Sequence, residues 1–232
     1  MTKPTDDYQP DRRPIASRER AVSKRFANWL VRRKVTPNSI SIAGMVAGIA
    51  VGFAFAMTNH SPYPAVFFLT AAMLMQLRLL ANMLDGMVAV ESGSASPVGE
   101  LYNEIPDRVS DAAMFVGAGY AWGSDPTLGY IAACLALFVA YLRAQGKVAG
   151  AHQEYCGPLG KPQRVFLMTL TSLLCGLVPA SWHAEMATHS ALGMSGSLMG
   201  WGLVVAIIGT VWTGVRRLRR IAHALRTDHD DN

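Results

Sequence analysis

Charge is scarce in this chain. Of its 232 residues only 16% are Asp, Glu, Lys or Arg, against 51% hydrophobic, a balance more apolar than a soluble domain carries. Cysteine is scarcer still. Cys134, Cys156 and Cys175 form no CxxC pair and are odd in number, which excludes a disulfide framework and suits free thiols in a reducing compartment. His152 and Cys156 stand four residues apart, but zinc needs two further ligands and none follows the pattern. The first 36 residues are polar and basic, and the first apolar run is too long for a signal-peptide core, so no cleavable leader is expected. Basic and aromatic residues do not interleave on any polar stretch, so nucleic acid is not an expected partner despite the net charge of +5.

The positive charge that is present is confined to a few places. Ten of the 21 Lys and Arg precede residue 35, and five more fall at 216–226. Basic residues beside apolar spans usually meet anionic lipid headgroups. Residues 1–15 are expected to be a disordered tail. Over 16–35, Val22, Phe26, Trp29 and Leu30 share one helical face and Arg18, Arg25, Arg32 and Arg33 largely take the rest. That is the pattern of an amphipathic helix lying in the membrane interface, although a helix packed on protein would look similar.

Six apolar spans follow, at roughly 37–57, 64–90, 98–122, 127–146, 164–182 and 193–215. Each is long enough to cross the ~30 Å hydrocarbon core as a helix. Thr36 and Pro37 suit the start of the first span, and Gly44, Gly48 and Gly52 repeat every four residues, so a neighbouring helix can approach closely. The connections at 58–63, 123–126 and 183–192 hold no Lys or Arg. The expected fold is therefore an all-α integral membrane protein with six transmembrane helices over 36–220, a polar tail at 221–232 and both termini cytoplasmic. In a bacterium that means the inner membrane.

One stretch breaks the apolar pattern. "NMLDGMVAVESGSASPVGELYNEIPDRVSD", residues 82–111, holds six of the sixteen Asp and Glu. Arg78, Asn82 and Asp85 share a face at the end of the second span. Ser96 and Pro97 suit the start of the next helix. There Glu100, Asn103, Glu104, Asp107 and Asp111 fall within an arc of about 100°. Carboxylates gathered beside a bilayer need a cation or a basic partner. Hard divalent ions, Mg²⁺ or Mn²⁺, favour such oxygen ligands and also bind phosphates, while pairing with Arg78 and Arg108 is the plainer alternative.

The same stretch resembles the signature of the CDP-alcohol phosphatidyltransferase family, D-x-x-D-G-x-x-A-R-x8-G-x-x-x-D-x-x-x-D. Asn82, Asp85, Gly86, Ala89, Val90, Gly99, Asn103 and Asp107 stand at the matching positions with every spacing kept. The "TPNSIS" start of the first span and "YLRAQGK" at the end of the fourth are also similar to that family. The resemblance implies transfer of a phosphatidyl or other phosphoalcohol group from a CDP-alcohol, usually CDP-diacylglycerol, to a small alcohol acceptor with release of CMP, in phospholipid biosynthesis.

It further implies that Asp85 and Asp107 are metal ligands and that Asp107 is the candidate general base. Gly86, Ala89 and Gly99 would let the nucleotide approach the backbone. The departures are Asn82 and Asn103 in place of Asp, and Val90 in place of Arg. An Asn carbonyl can ligate Mg²⁺ but brings no charge. Either the site is rebuilt or the protein is a non-catalytic relative that binds a CDP-lipid or a partner. In a rebuilt site Glu100, Glu104 or Asp111 restores charge, or one metal ion serves instead of two, and Arg78 holds the nucleotide phosphate that Val90 has no charge to bind. Arg143, Lys161 and Arg164, around the loop after the fourth span, are candidates for an anionic acceptor, with ordinary positive-inside charge as the plain reading of Lys161. A transporter fits less well, because the acids cluster at one face and no second set continues through spans four to six. A homodimer is compatible with the family and with the glycine repeat.

Overall fold

The computed structural model describes residues 21–94, 97–151, 155–179 and 197–230, and every regular element among them is a helix. In chain order these are α1 (Ala21–Arg32), α2 (Pro37–Met57), α3 (Pro64–Glu91), α4 (Pro97–Gly119), α5 (Pro126–Val148), α6 (Lys161–Leu177) and α7 (Leu198–Asp230). The expected tail at 1–15, Ser96, His152 and the connection 183–192 lie outside the described residues. The last helix runs on to Asp230, through most of the segment expected as a polar tail beyond residue 220. Its Arg-rich stretch ends the apolar pattern, but arginine is a good helix former and nothing there breaks the backbone hydrogen bonds.

Proline and short polar side chains set the helix starts. Thr36 Oγ1 accepts from the Ser39 backbone N–H at 3.2 Å, and Asp125 Oδ1 accepts from that of Thr127 at 2.6 Å. Pro37, Pro64 and Pro126 each follow a cap, where a missing N–H costs nothing. Helix α1 ends where Lys34 adopts a left-handed conformation (φ 58°), letting the Val35 N–H reach back to the Leu30 carbonyl at 3.1 Å.

Four of the helices, α2, α3, α5 and α7, are long and apolar enough to cross a membrane. Helix α4 carries the acidic stretch, and α6 has 17 residues. The core joins them through Phe55, Phe68, Met75, Phe115, Met168, Met199 and Leu203, all fully buried. The outer surface is apolar too: Val46 and Phe53 on α2, Leu77 on α3, Phe166 on α6 and Trp212 on α7 are exposed. A surface of that kind suits lipid rather than water. On α1, Phe26 and Trp29 stack at 5.6 Å and stay half-exposed, while Ala27 is buried in a cluster with Leu84, Met87 and Val88 of α3.

The glycine repeat of α2 is used inside the chain. A Cβ at Gly44 would meet Ala81 of α3 at 3.1 Å, one at Gly48 would collide with Ser110, and one at Gly52 with the Ala113 backbone of α4, which in turn brings Gly117 against Gly52. The repeat therefore seats α3 and α4 against α2. Gly52→Val is expected to cost about 1–3 kcal/mol by overpacking, read as a lower unfolding temperature in detergent.

Between α5 and α6 the chain folds onto α7. Arg217 Nε donates to the Cys156 carbonyl at 3.0 Å, and the Leu159 N–H donates to Thr213 Oγ1 at 3.0 Å. Gly157 has φ +122°, a conformation open to glycine, and any Cβ there would meet the Thr213 side chain. This docking brings the first residue of α6, Lys161, to the charged end of the bundle.

Candidate active site

Helices α3 and α4 run antiparallel, and their polar stripes face each other across a cleft. Asn82 and Asp85 line it from α3, and Asn103, Pro106, Asp107 and Ser110 from α4. Arg78 lies deeper on α3, and Ser41, Gly44 and Met45 of α2 close it. The four positions that match the motif's aspartates therefore meet in one place. Pro106 sits between Asn103 and Asp107 inside α4. It removes one helical hydrogen bond, and its own carbonyl accepts from Ser110 Oγ at 2.7 Å.

Asp85 is 2% exposed. Its Oδ2 accepts from Ser41 Oγ at 2.8 Å and its Oδ1 from the Gly86 N–H at 2.5 Å. Two donors on a buried carboxylate fix its direction and offset part of its desolvation. Ser41 was not an expected site residue. Nothing in the sequence sets it apart from Asn38 and Ser39 at the start of the same span.

Asp107 holds a different company. Arg78 Nη2 donates to its Oδ1 at 2.9 Å, and Lys161 Nζ donates to its Oδ2. The same ammonium donates to Asn82 Oδ1 at 3.1 Å, across 79 residues of sequence. Asp111, also 2% exposed, lies among three arginines: Arg164 at 3.3 Å, Arg78 at 3.5 Å and Arg108 at 3.8 Å. Glu104 pairs with Arg143 and, at 3.1 Å, with Arg108. Arg143 in turn lies over the Tyr155 ring at 5.5 Å.

The structure thus brings Asn82, Asp85, Asn103 and Asp107 together and holds Glu104 and Asp111 in arginine pairs beside them. The Glu100 side chain lies outside the described residues. Gly86 is buried behind Asp85, while Gly86, Ala89 and Gly99 do not line the cleft among the described residues. Among those residues no group of three or more His, Cys, Asp and Glu converges as a metal cluster would. Arg78 and Arg164 are buried, yet the Nε and Nη1 of each have no hydrogen-bond partner. Such donors are costly unless an acceptor reaches them.

The family model of the CDP-alcohol phosphatidyltransferases matches residues 34–212, from the end of α1 into α7. The chain belongs to that family. It is a CDP-alcohol phosphatidyltransferase of phospholipid synthesis. The phosphatidyltransferase is 25% identical over 212 residues to the phosphatidylinositol phosphate synthase of Mycobacteroides abscessus, covering 89% of this chain and 84% of that one. It is 24% identical over 193 residues to the inner membrane protein YnbA of Escherichia coli (83% and 87%). Its fold matches the phosphatidylinositol phosphate synthase of Mycobacterium tuberculosis, with a TM-score of 0.68. That holds for the crystal structure with CDP-DAG bound (20% identity, 87% of this chain and 94% of that one) and for the complex with manganese and citrate (21%, 86% and 88%). With its apolar helices, the phosphatidyltransferase is an integral membrane protein.

Proposed function

We propose that this phosphatidyltransferase takes CDP-diacylglycerol as donor and a phosphorylated polyol as acceptor, and releases CMP. The observation that carries the reading is the single cleft joining Asp85 and Asp107, with buried arginine donors behind it. CDP-DAG in the Mycobacterium tuberculosis synthase, and the synthase names of the curated relatives, support the donor and the acceptor class.

The donor set fits one divalent ion better than two. Asp85 and Asp107 provide two carboxylates, and Asn82 and Asn103 provide amide carbonyls, which ligate Mg²⁺ or Mn²⁺ as oxygen donors. Manganese in the related crystal structure supports a divalent ion. When bound, that ion would offset the negative charge of the diphosphate and of departing CMP. The protein's own side chains do the rest. Ser41 and the Gly86 N–H hold Asp85 in direction. Arg78 presents Nε and Nη1 to a phosphate oxygen. Asp107 accepts the proton of the acceptor hydroxyl as that oxygen attacks phosphorus. Arg164 and Arg143 receive the acceptor's phosphate. Gly86, Ala89 and Gly99 flank the path of the nucleotide.

The proposed setting is six membrane-crossing helices, α2 to α7, with α1 in the interface and both termini in the cytoplasm. The Lys- and Arg-free connections at 58–63 and 123–126 support that orientation.

The test is a CMP-release assay on purified protein with CDP-diacylglycerol, scanning divalent metals and phosphorylated polyols. Metal-dependent CMP release supports the reading. CDP-diacylglycerol binding without release, in every combination, overturns it. For the acceptor, Arg143→Glu is expected to raise KM for the phosphorylated polyol about tenfold with a smaller change in kcat. An unchanged KM removes Arg143 from the site.

A further inference from the structure

Lys161 reaches into the cleft from the start of α6. Its Nζ bridges Asp107 Oδ2 and Asn82 Oδ1, one side chain from each wall. Those two oxygens belong to half of the four-residue donor set just described, and an ammonium in contact with both already brings them one positive charge. We propose that Lys161 is a built-in cation: its ammonium stands at the Asn82–Asp107 end of the cleft in place of a second divalent ion, so that the donor set holds one. The inference deepens the transferase reading and rests on it for the identity of the substrate.

Three observations support it independently of any bound ion. First, charge: with Asn at 82 and 103, the side chains of Arg78, Asn82, Asp85, Asn103, Asp107 and Lys161 sum to zero, so the cleft has no carboxylate charge to spare for a second divalent ion. Second, chemistry: Asn82 accepts from the ammonium through its carbonyl oxygen without adding a charge. Third, placement: Lys161 is not a loosely held surface residue. The loop before it is tied to α7 by Arg217 and Thr213, Gly157 allows the close approach, and Lys161 itself opens α6 with Pro162 next to it in the first turn. A lysine held in that way loses little additional entropy by staying in the cleft. Once a diphosphate binds, the same ammonium is positioned to donate to one of its oxygens as a compact, fixed charge.

The experiment counts Mn²⁺ bound to the full-length protein in detergent by electron paramagnetic resonance, with Mn²⁺ alone as the probe. Wild type is expected to saturate at one ion, and Lys161→Met combined with Asn82→Asp at one ion more. If wild type binds none and the variant one, the role of Lys161 stands while the metal-dependent transferase reading falls. Two ions in wild type, or an unchanged count in a variant with wild-type helical content, overturns the proposal. Lys161→Gln alone serves if the double variant does not fold. Losing one fixed positive charge is expected to tighten Mn²⁺ about tenfold, or ~1.4 kcal/mol, and an unchanged affinity overturns the proposal equally.

Discussion

Asp107→Asn is expected to lower the rate of CMP release by about 10²–10⁴-fold, the usual contribution of a positioned general base. The substitution is nearly isosteric and keeps an oxygen for Arg78 or for Lys161. The fold is therefore expected to persist with wild-type helical content, at a somewhat lower unfolding temperature because Arg78 and Lys161 lose their anion. What is lost is the carboxylate's capacity to take a proton. The effect is expected in kcat and in kcat/KM alike, because the interaction strengthens only as the acceptor oxygen attacks. If kcat is unchanged and KM alone rises, Asp107 is a binding residue and the base lies elsewhere.

Asp111→Ala is expected to act on stability instead. Its carboxylate is buried and lies within 3.8 Å of Arg164, Arg78 and Arg108. Removing it strands the buried guanidinium groups of Arg78 and Arg164, each of which already has Nε and Nη1 without a partner. Breaking a buried pair from one side typically costs about 3–5 kcal/mol, read here as an unfolding temperature lower by about 10 °C. Adding Arg164→Leu is expected to recover part of the loss, since a buried cation without its anion is worse than neither. If the double variant is less stable than Asp111→Ala by the full cost of Arg164→Leu alone, the two residues are not coupled.

Much of this architecture is legible in the residues. Thr36–Pro37 and Asp125–Pro126 announce helix starts because a cap oxygen and a missing N–H act locally. The meeting of Asn82, Asp85, Asn103 and Asp107 follows from helical periodicity on two helices joined by a short connection. Arg78 and Arg108 were legible as partners of the acidic residues, but those from α5 and α6 were not. Lys161 reaches Asn82 only because the preceding loop docks on α7, more than fifty residues further along the chain. Glu104 and Asp111 share the face of Asp107 in sequence, and nothing local says that Arg143 and Arg164 come to meet them. Ser41 was hidden for another reason. A serine in a membrane span most often bonds its own backbone, as this one also does to the Pro37 carbonyl at 3.2 Å, and its second bond to Asp85 depends on how α2 and α3 pack.

The backbone-close packing of α2 on α4 has a consequence for traffic. Gly44 and Ser110 line the cleft, and directly beyond them Gly48 presses on Ser110 and Gly52 on Ala113 and Gly117. At these positions α2 and α4 touch backbone to backbone, so the cleft finds no passage between those two helices and its polar lining stops where the glycines begin.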